Sequence, residues 1–251
     1  MVSSPEAIAA ANDKHRLVRA ARHAGIPCPE SEITDSEDSL IRALERFGYP
    51  DKPAVVKPPV SNGMRGFRIV TKDPWDVERF LSSKPDGTEI SRDALIDILH
   101  RGEWPELVVS EYLPGEEYTV DVFRGVNGVM AIPRVRLAIR SGITFESRVT
   151  MRDDLVSWSE KLAEELDLRY CFGFQFKCDG KGVPRLLECN PRVQGTMVVS
   201  MFAGFNIIYY AVWEALGRTV AVAGVVPADG VRFTRYWGGT ASDESGVKGI
   251  V

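Results

Sequence analysis

CFGFQFKCDGKGVPRLLECNPRVQGT, residues 171–196, is the stretch that decides how the chain folds. Two apolar alternating runs, 171–178 and 183–190, flank Asp179-Gly180-Lys181-Gly182, and this pattern predicts a β-hairpin. Glu188 and Asn190 stand two apart on the second strand and so point to one face, while Cys189 between them points to the core. Gln175 lies on the partner strand, thirteen residues before Glu188. Oxygen ligands spaced in this way suit Mg²⁺, a hard cation that shares its sphere with substrate phosphates. Arg192 follows within reach of the same phosphates. On these residues alone, a solvated strand end without a ligand is the favoured reading.

Upstream, LVVSEYL, EYTVDVFR, VMAIPRVRLAI and ITFESRVT alternate between Glu106 and Thr150, with a turn at Asn127-Gly128, and predict one antiparallel sheet. Within it, the backbone near Tyr112 and Leu113 is free to read the edge of adenine, and Glu117 to accept two ribose hydroxyls. A plain connecting turn is the alternative. Arg134, Arg136 and Arg140 alternate onto one face, either as a collector for phosphate or carboxylate or as a solvated basic face. Further upstream, PAVVKPPVSNGMRGFRIV, residues 53–70, reads as strand, turn, strand. Lys57 ends the first strand and the turn runs from Ser61 through Gly63 to Gly66, whose backbone N–H groups can cap phosphate oxygens. The segment matches neither a P-loop nor G-x-G-x-x-G, and taken alone a plain hairpin turn is the favoured reading.

Helices are predicted over Asn12–Ala24, with Leu17, Val18 and Ala21 on one face and a stop at Gly25, and from Asp35 or Ser36 to Gly48, with Leu40, Ile41, Leu44 and Phe47 inward. Others open at Asp73-Pro74 and at Ser91, and another spans Asp153 to Leu166. Thr196–Leu216 reads as one long buried helix, since Asn206 and Glu214 are costly in lipid. A strand at VRFTRYW precedes a frayed tail. Trp104, Trp158, Trp213 and Trp237 are read as core or contact residues.

Composition narrows the function. The chain has 251 residues, 44% apolar and 26% charged, which is globular, and its net charge of −4 lacks the basic excess of a nucleic-acid or anionic-membrane binder. Four cysteines without C-x-x-C spacing argue against zinc, and no secretory signal is readable, so reduced thiols in a cytoplasmic protein are the simplest reading.

The order of these segments resembles the ATP-grasp superfamily, and within it the carbamoyl-phosphate-synthase large-subunit type. Asn12-Asp13-Lys14, VVKPPVSNGMRG, SEYLPGEEYTVD, Gln175 and residues 188–196 carry the likeness, over about residues 12–217. Met64 and Arg65 depart from it, standing where more glycine is usual. The resemblance implies an α+β (α/β) ATP-grasp fold in which two subdomains with antiparallel sheets clasp the nucleotide. It divides the chain into 1–30 (helix and linker), 31–110 (smaller, lid-bearing), 111–240 (larger, with the metal site) and 241–251 (tail).

By position it implies Lys14, Lys57, Ser61, Gly63, Gly66, Glu111, Tyr112, Leu113 and Glu117 on ATP, and Gln175, Glu188 and Asn190 on Mg²⁺, with Mn²⁺ as an alternative. It makes Arg192 the catalytic cation on the transferring γ-phosphoryl group, and the need for positive charge there adds Arg136 from the arginine row as a second. The implied reaction activates a carboxylate as an acyl phosphate for attack by an amine or another nucleophile. A nucleotide-binding subunit without catalysis and a phosphotransferase on a non-carboxylate acceptor are the competing expectations. Only eleven residues precede Asn12, so for the Rossmann-like subdomain usual at that point three expectations stand: the chain is a fragment, a second copy or partner chain supplies it, or the protein makes do without it.

Overall fold

Phe172, Phe174 and Phe176 alternate with Cys171, Gly173, Gln175 and Lys177, and that alternation sorts the two faces of the larger sheet. In the computed structural model, which describes residues 2–59, 64–72, 75–83, 87–238, 240–243 and 246–250, the three phenylalanines are buried. They share one apolar cluster with Leu17, Ala21, Leu155, Leu162, Leu186 and Cys189.

The chain runs α1 (Pro5–Asn12), α2 (Lys14–His23), β1 (Ser31–Thr34), α3 (Glu37–Arg46), β2 (Ala54–Lys57), β3 (Arg68–Val70), α4 (Val77–Ser82), β4 (Glu89–Ile90), α5 (Arg92–Leu99) and β5 (Leu107–Glu111). It continues β6 (Glu117–Gly125), β7 (Gly128–Arg140), β8 (Ile143–Val149), α6 (Asp153–Glu165), β9 (Tyr170–Cys178) and β10 (Pro184–Asn190). The last elements are α7 (Val199–Phe202), α8 (Ile207–Ala215), β11 (Arg232–Thr234), β12 (Thr240–Asp243) and β13 (Gly246–Ile250). Strands order as β1-β5-β2-β3-β4 in a five-stranded sheet and β10-β9-β6-β7-β8-β11 in a six-stranded one, with β12-β13 apart.

Helices α1, α2 and α6 cover the phenylalanine face of the larger sheet. Part of its other face, with Phe123, Met130, Ile132 and Cys171, packs on Met197, Val199, Phe205 and Ile207. Leu40, Leu44, Val56, Leu95 and Val109 form the core of the smaller sheet. The helix starts follow side-chain chemistry. Asp13 accepts from the N–H groups of His15 and Arg16, and Ser36 and Ser39 form a reciprocal cap.

Several expectations are corrected. The first helix divides at Asp13, and α1, announced by Ser4 and Pro5, was not foreseen; Val18 is only half-buried. Strand β5 leaves the predicted 106–150 sheet and pairs with β1 and β2, because the chain turns through 112–116, where Gly115 N donates to Cys178 O at 2.9 Å. The smaller sheet is not wholly antiparallel, since β3 and β4 run parallel. Thr196–Leu216 is two helices rather than one: Gly204 takes φ +99°, and Asn206 caps α8 by accepting from Tyr209 N at 3.1 Å. Asp73 and Pro74 lie outside the described residues, and α4 begins after Asp76, which caps it. The tail carries the hairpin β12-β13, and Trp237 is exposed rather than core.

Candidate functional site

A β-bulge aims the central residues. Strand β10 pairs Leu186 with Phe176 but Glu188 with Gln175, so Leu187 is the extra residue. Leu186 and Cys189 therefore face the core, while Glu188 and Asn190 turn to the opposite face. Without the bulge, Leu186 and Glu188 would share a face. Asn190 Nδ2 donates to Glu188 Oε1 at 3.0 Å, which ties the two together.

Register then spreads one polar surface across the sheet. Glu188 stands opposite Gln175, Gln175 opposite Thr119, and Thr119 opposite Arg134. In the next row Asn190 faces Gly173, and Gly173 faces Asp121. On the other side Lys177 faces Glu117, which pairs with Arg136. Residues from four strands thus meet on one face.

Two lysines supply positive charge to it. Lys14 Nζ donates to Pro58 O at 3.4 Å, joining α2 to the end of β2. Its pKa is lowered by burial, against the pull of Glu188. Lys57 is pushed down to about 8 by burial first and then by the charge of Lys14, while Glu188 pulls it up. Lys14, Lys57 and Glu188 therefore share one electrostatic neighbourhood, drawn from both sheets. Ser61 and Gly63 lie outside the described residues. Gly66 has φ +73°, and a Cβ there would meet Pro58 Cδ at 2.6 Å, so the loop can close on Pro58 only with glycine. Met64 of the same loop approaches Gly142 of the β7–β8 turn, 3.4 Å from where a Cβ would stand.

The remaining residues fall into place unevenly. Tyr112 is half-buried and Leu113 buried on the connector between the sheets. Glu111 accepts from Glu30 N at 3.0 Å and lies 3.7 Å from Arg185. Arg136 is largely shielded from solvent, with its three nitrogens bonded to Thr144 Oγ1, Glu117 and Gly142 O. Arg134 is not a solvent-facing collector either: it is buried in a bidentate pair with Asp121 at 2.8 and 3.2 Å. Arg140 leaves the row, because bulges after Arg136 break the alternation, and it lies over Phe145. Arg192 is exposed beside Asn190 Oδ1 at 3.4 Å.

A family model described as ATP-grasp in the biosynthetic pathway with Ter operon matches residues 103–236. The chain belongs to this ATP-grasp family. Its sequence is 27% identical over 234 residues to the chloroplastic arginine-specific carbamoyl phosphate synthase large chain of Oryza sativa subsp. japonica, covering 88% of this chain and 18% of that one. It is also 27% identical over 229 residues to the carbamoyl phosphate synthase large chain of Thermus thermophilus, covering 90% and 21%. The ATP-grasp chain thus spans about a fifth of the length of these curated relatives. In fold it is similar to biotin carboxylase from Campylobacter jejuni in complex with β,γ-ATP, at TM-score 0.68 and 18% identity over 88% of this chain and 49% of that one. It is also similar to N5-carboxyaminoimidazole synthetase from Staphylococcus aureus with ADP, at 0.67 and 17% over 87% and 55%. The fold is therefore ATP-grasp.

Sequence reasoning missed four residues on this face of the ATP-grasp chain. Thr119 sits between Gln175 and Arg134, and Asp121 neutralises Arg134. Ser147 lies opposite Arg136, and Gln194 places its carboxamide over Gly173, with Nε2 1.5 Å from where a Cβ would stand. Alternation along EYTVD, two residues at a time from Glu117, was the available signal for the first two. For Gln194 the only signal was its position just past the strand.

Proposed function

We propose that the chain is an ATP- and Mg²⁺-dependent ligase that activates a carboxylate as an acyl phosphate for attack by an amine or another nucleophile. One observation carries this reading: Glu188, paired with Gln175 and bonded to Asn190, faces the neighbourhood of Lys14 and Lys57. The likeness to carbamoyl phosphate synthase large chains supports it, as do fold neighbours solved with ADP or with ADP and magnesium.

Gln175, Glu188 and Asn190 would hold the cation, and one carboxylate with two amide oxygens suits a metal that phosphates also ligate. Among the described residues no group of three or more His, Cys, Asp or Glu could hold a metal unaided. Mg²⁺, or Mn²⁺ with its similar taste for oxygen, would supply positive charge to the phosphoryl oxygens.

Lys14 and Lys57 bind the phosphates. Gly66 and its loop cover them, while the 111–113 connector and Glu117, oriented by Arg136, hold the nucleoside. Arg192 stabilises the transferring group. The γ-phosphoryl group passes to a carboxylate oxygen and ADP leaves; the nucleophile then bonds to the acyl carbon as phosphate departs, and an amine gives up a proton. We place the smaller lobe at 31–110 and the larger at 111–240. Residues 1–30 join the larger lobe, against which α1 and α2 pack.

The test is release of ADP and phosphate from Mg·ATP with pooled amino acids, small carboxylates and bicarbonate. Release should depend on one pool. Glu188→Ala should abolish it, and Arg192→Ala should keep nucleotide binding while lowering the rate by about 10²-fold or more. Undiminished release by Glu188→Ala would sink the assignment.

A further inference from the structure

Helix α8 is apolar on two opposite sides. Ile207 and Ala211 are buried in the cluster that holds Phe123 and Cys171 of the larger sheet. At about 100° per residue, Tyr209, Val212, Trp213 and Leu216 fall on the other side within an arc of about 100°, and Leu216 is 71% exposed. The rings of Tyr209 and Trp213 pack at 5.0 Å between centroids. Ile207 N donates to Ser200 Oγ at 3.4 Å, which seats the start of α8 beside α7 and its exposed Met201 and Phe202.

No charge interrupts this surface. Residues 196–217 carry one charged side chain, Glu214, and it is 4% exposed, accepting from Val126 N at 2.7 Å. Over the whole chain 26% of residues are charged, so the gap is local. A surface rich in aromatic residues and methionine and bare of charge has the composition of the centre of a protein–protein interface. The exposed parts of Val198, Met201, Phe202, Tyr209, Val212 and Leu216 amount to on the order of 600 Å², and one side of a standard interface buries about 800 Å². With a rim of backbone and neighbouring side chains, the face is large enough for a stable dimer.

We propose that this face binds a second copy of the chain in a symmetric homodimer, an inference that stands apart from the ligase reading. Two observations point to a like partner. A face without exposed charge offers nothing for a partner of opposite charge to pair with, and it fits a face equally bare. Along α8, Tyr209, Val212 and Leu216 also run large, small, large, an order that reads alike in both directions. Two α8 helices crossing antiparallel about a two-fold axis beside Val212 set Tyr209 of one copy against Leu216 of the other. The two valines then meet at the centre, where their small side chains let the helices approach.

Sedimentation velocity of the full chain across micromolar concentrations tests this. The parent should sediment as a dimer, at twice the 27.8 kDa of one chain. Val212→Glu and Val212→Lys each set like charges against one another at the axis, and each should weaken dimerisation by about 10²-fold or more. An equimolar mixture of the two variants should reassociate, because opposite charges then meet. That rescue requires Val212 to face its own counterpart, so a different partner or a different face does not produce it. If circular dichroism shows that either variant fails to fold, Tyr209→Lys mixed with Leu216→Glu makes the same test through the antiparallel contact. A parent that stays monomeric overturns the proposal. So does a dimer that the substitutions leave intact, or a mixture of folded variants that does not reassociate.

Discussion

Lys57 is a base held below its ordinary range, and it makes the clearest prediction at the scale of one residue. Its folded pKa is about 8 against the usual 10.5, so between those values the unfolded chain holds the proton more tightly. The nucleotide-free protein therefore gains stability as pH rises from 8 toward 10.5. In EDTA, Lys57→Met should be more stable than the parent at pH 7, with the advantage shrinking by pH 10. Urea midpoints across this range check it; a gap that does not change with pH would refute it. The buried pair behaves oppositely. Arg134→Met leaves Asp121 charged and unpaired and should cost about 3–5 kcal/mol, most of it recovered by adding Asp121→Leu. A double-mutant cycle in urea measures this, and additive losses would contradict it. Residue type and spacing made Lys57, Gln175, Glu188 and Asn190 legible before any fold was known. The Arg134–Asp121 pair was not, because pairing across strands depends on a register that the sequence leaves open.

Secondary elements were easier to find than their irregularities. The β9–β10 hairpin announced itself through Asp179-Gly180-Lys181-Gly182, yet nothing in LLEC signals the extra residue at Leu187. Simple counting placed Glu188 with Asn190 correctly, and it took the structure to show that Leu186 belongs to the other face. Deleting Leu187 should restore unbroken alternation with Leu186 still opposite Phe176 and Glu188 still opposite Gln175, so Glu188 and Asn190 keep their face. MgADP binding, by calorimetry, should therefore survive the deletion, as it should survive Leu187→Ala. Loss of binding in a deletion variant that still folds would show that the bulge itself shapes the site. Likewise, the apolar composition of 196–216 concealed a break, since Gly204 and Asn206 act through backbone conformation and capping, which hydropathy does not register.

At the scale of the whole molecule, the two sheets were legible as a sum of hairpins but not in their membership. Strand β5 looked continuous with β6, and only the turn at 112–116 sends it to the other sheet. The proposed clasp has a measurable consequence. MgADP should slow amide exchange in both β2 and β10, one from each sheet, and at 100 times its dissociation constant should stabilise the chain by about 2.7 kcal/mol. Exchange slowed in one sheet alone would refute a nucleotide held between the two.

The close approach of the chain around Gly173 fixes what evolution can write there. A Cβ at 173 would stand 1.5 Å from the Gln194 carboxamide, which can swing aside at the end of its flexible side chain, and 2.8 Å from the backbone oxygen of Val120, which moves only with the sheet. Change at 194 therefore does not free 173, and directed libraries that randomise the two positions together will still return glycine at 173.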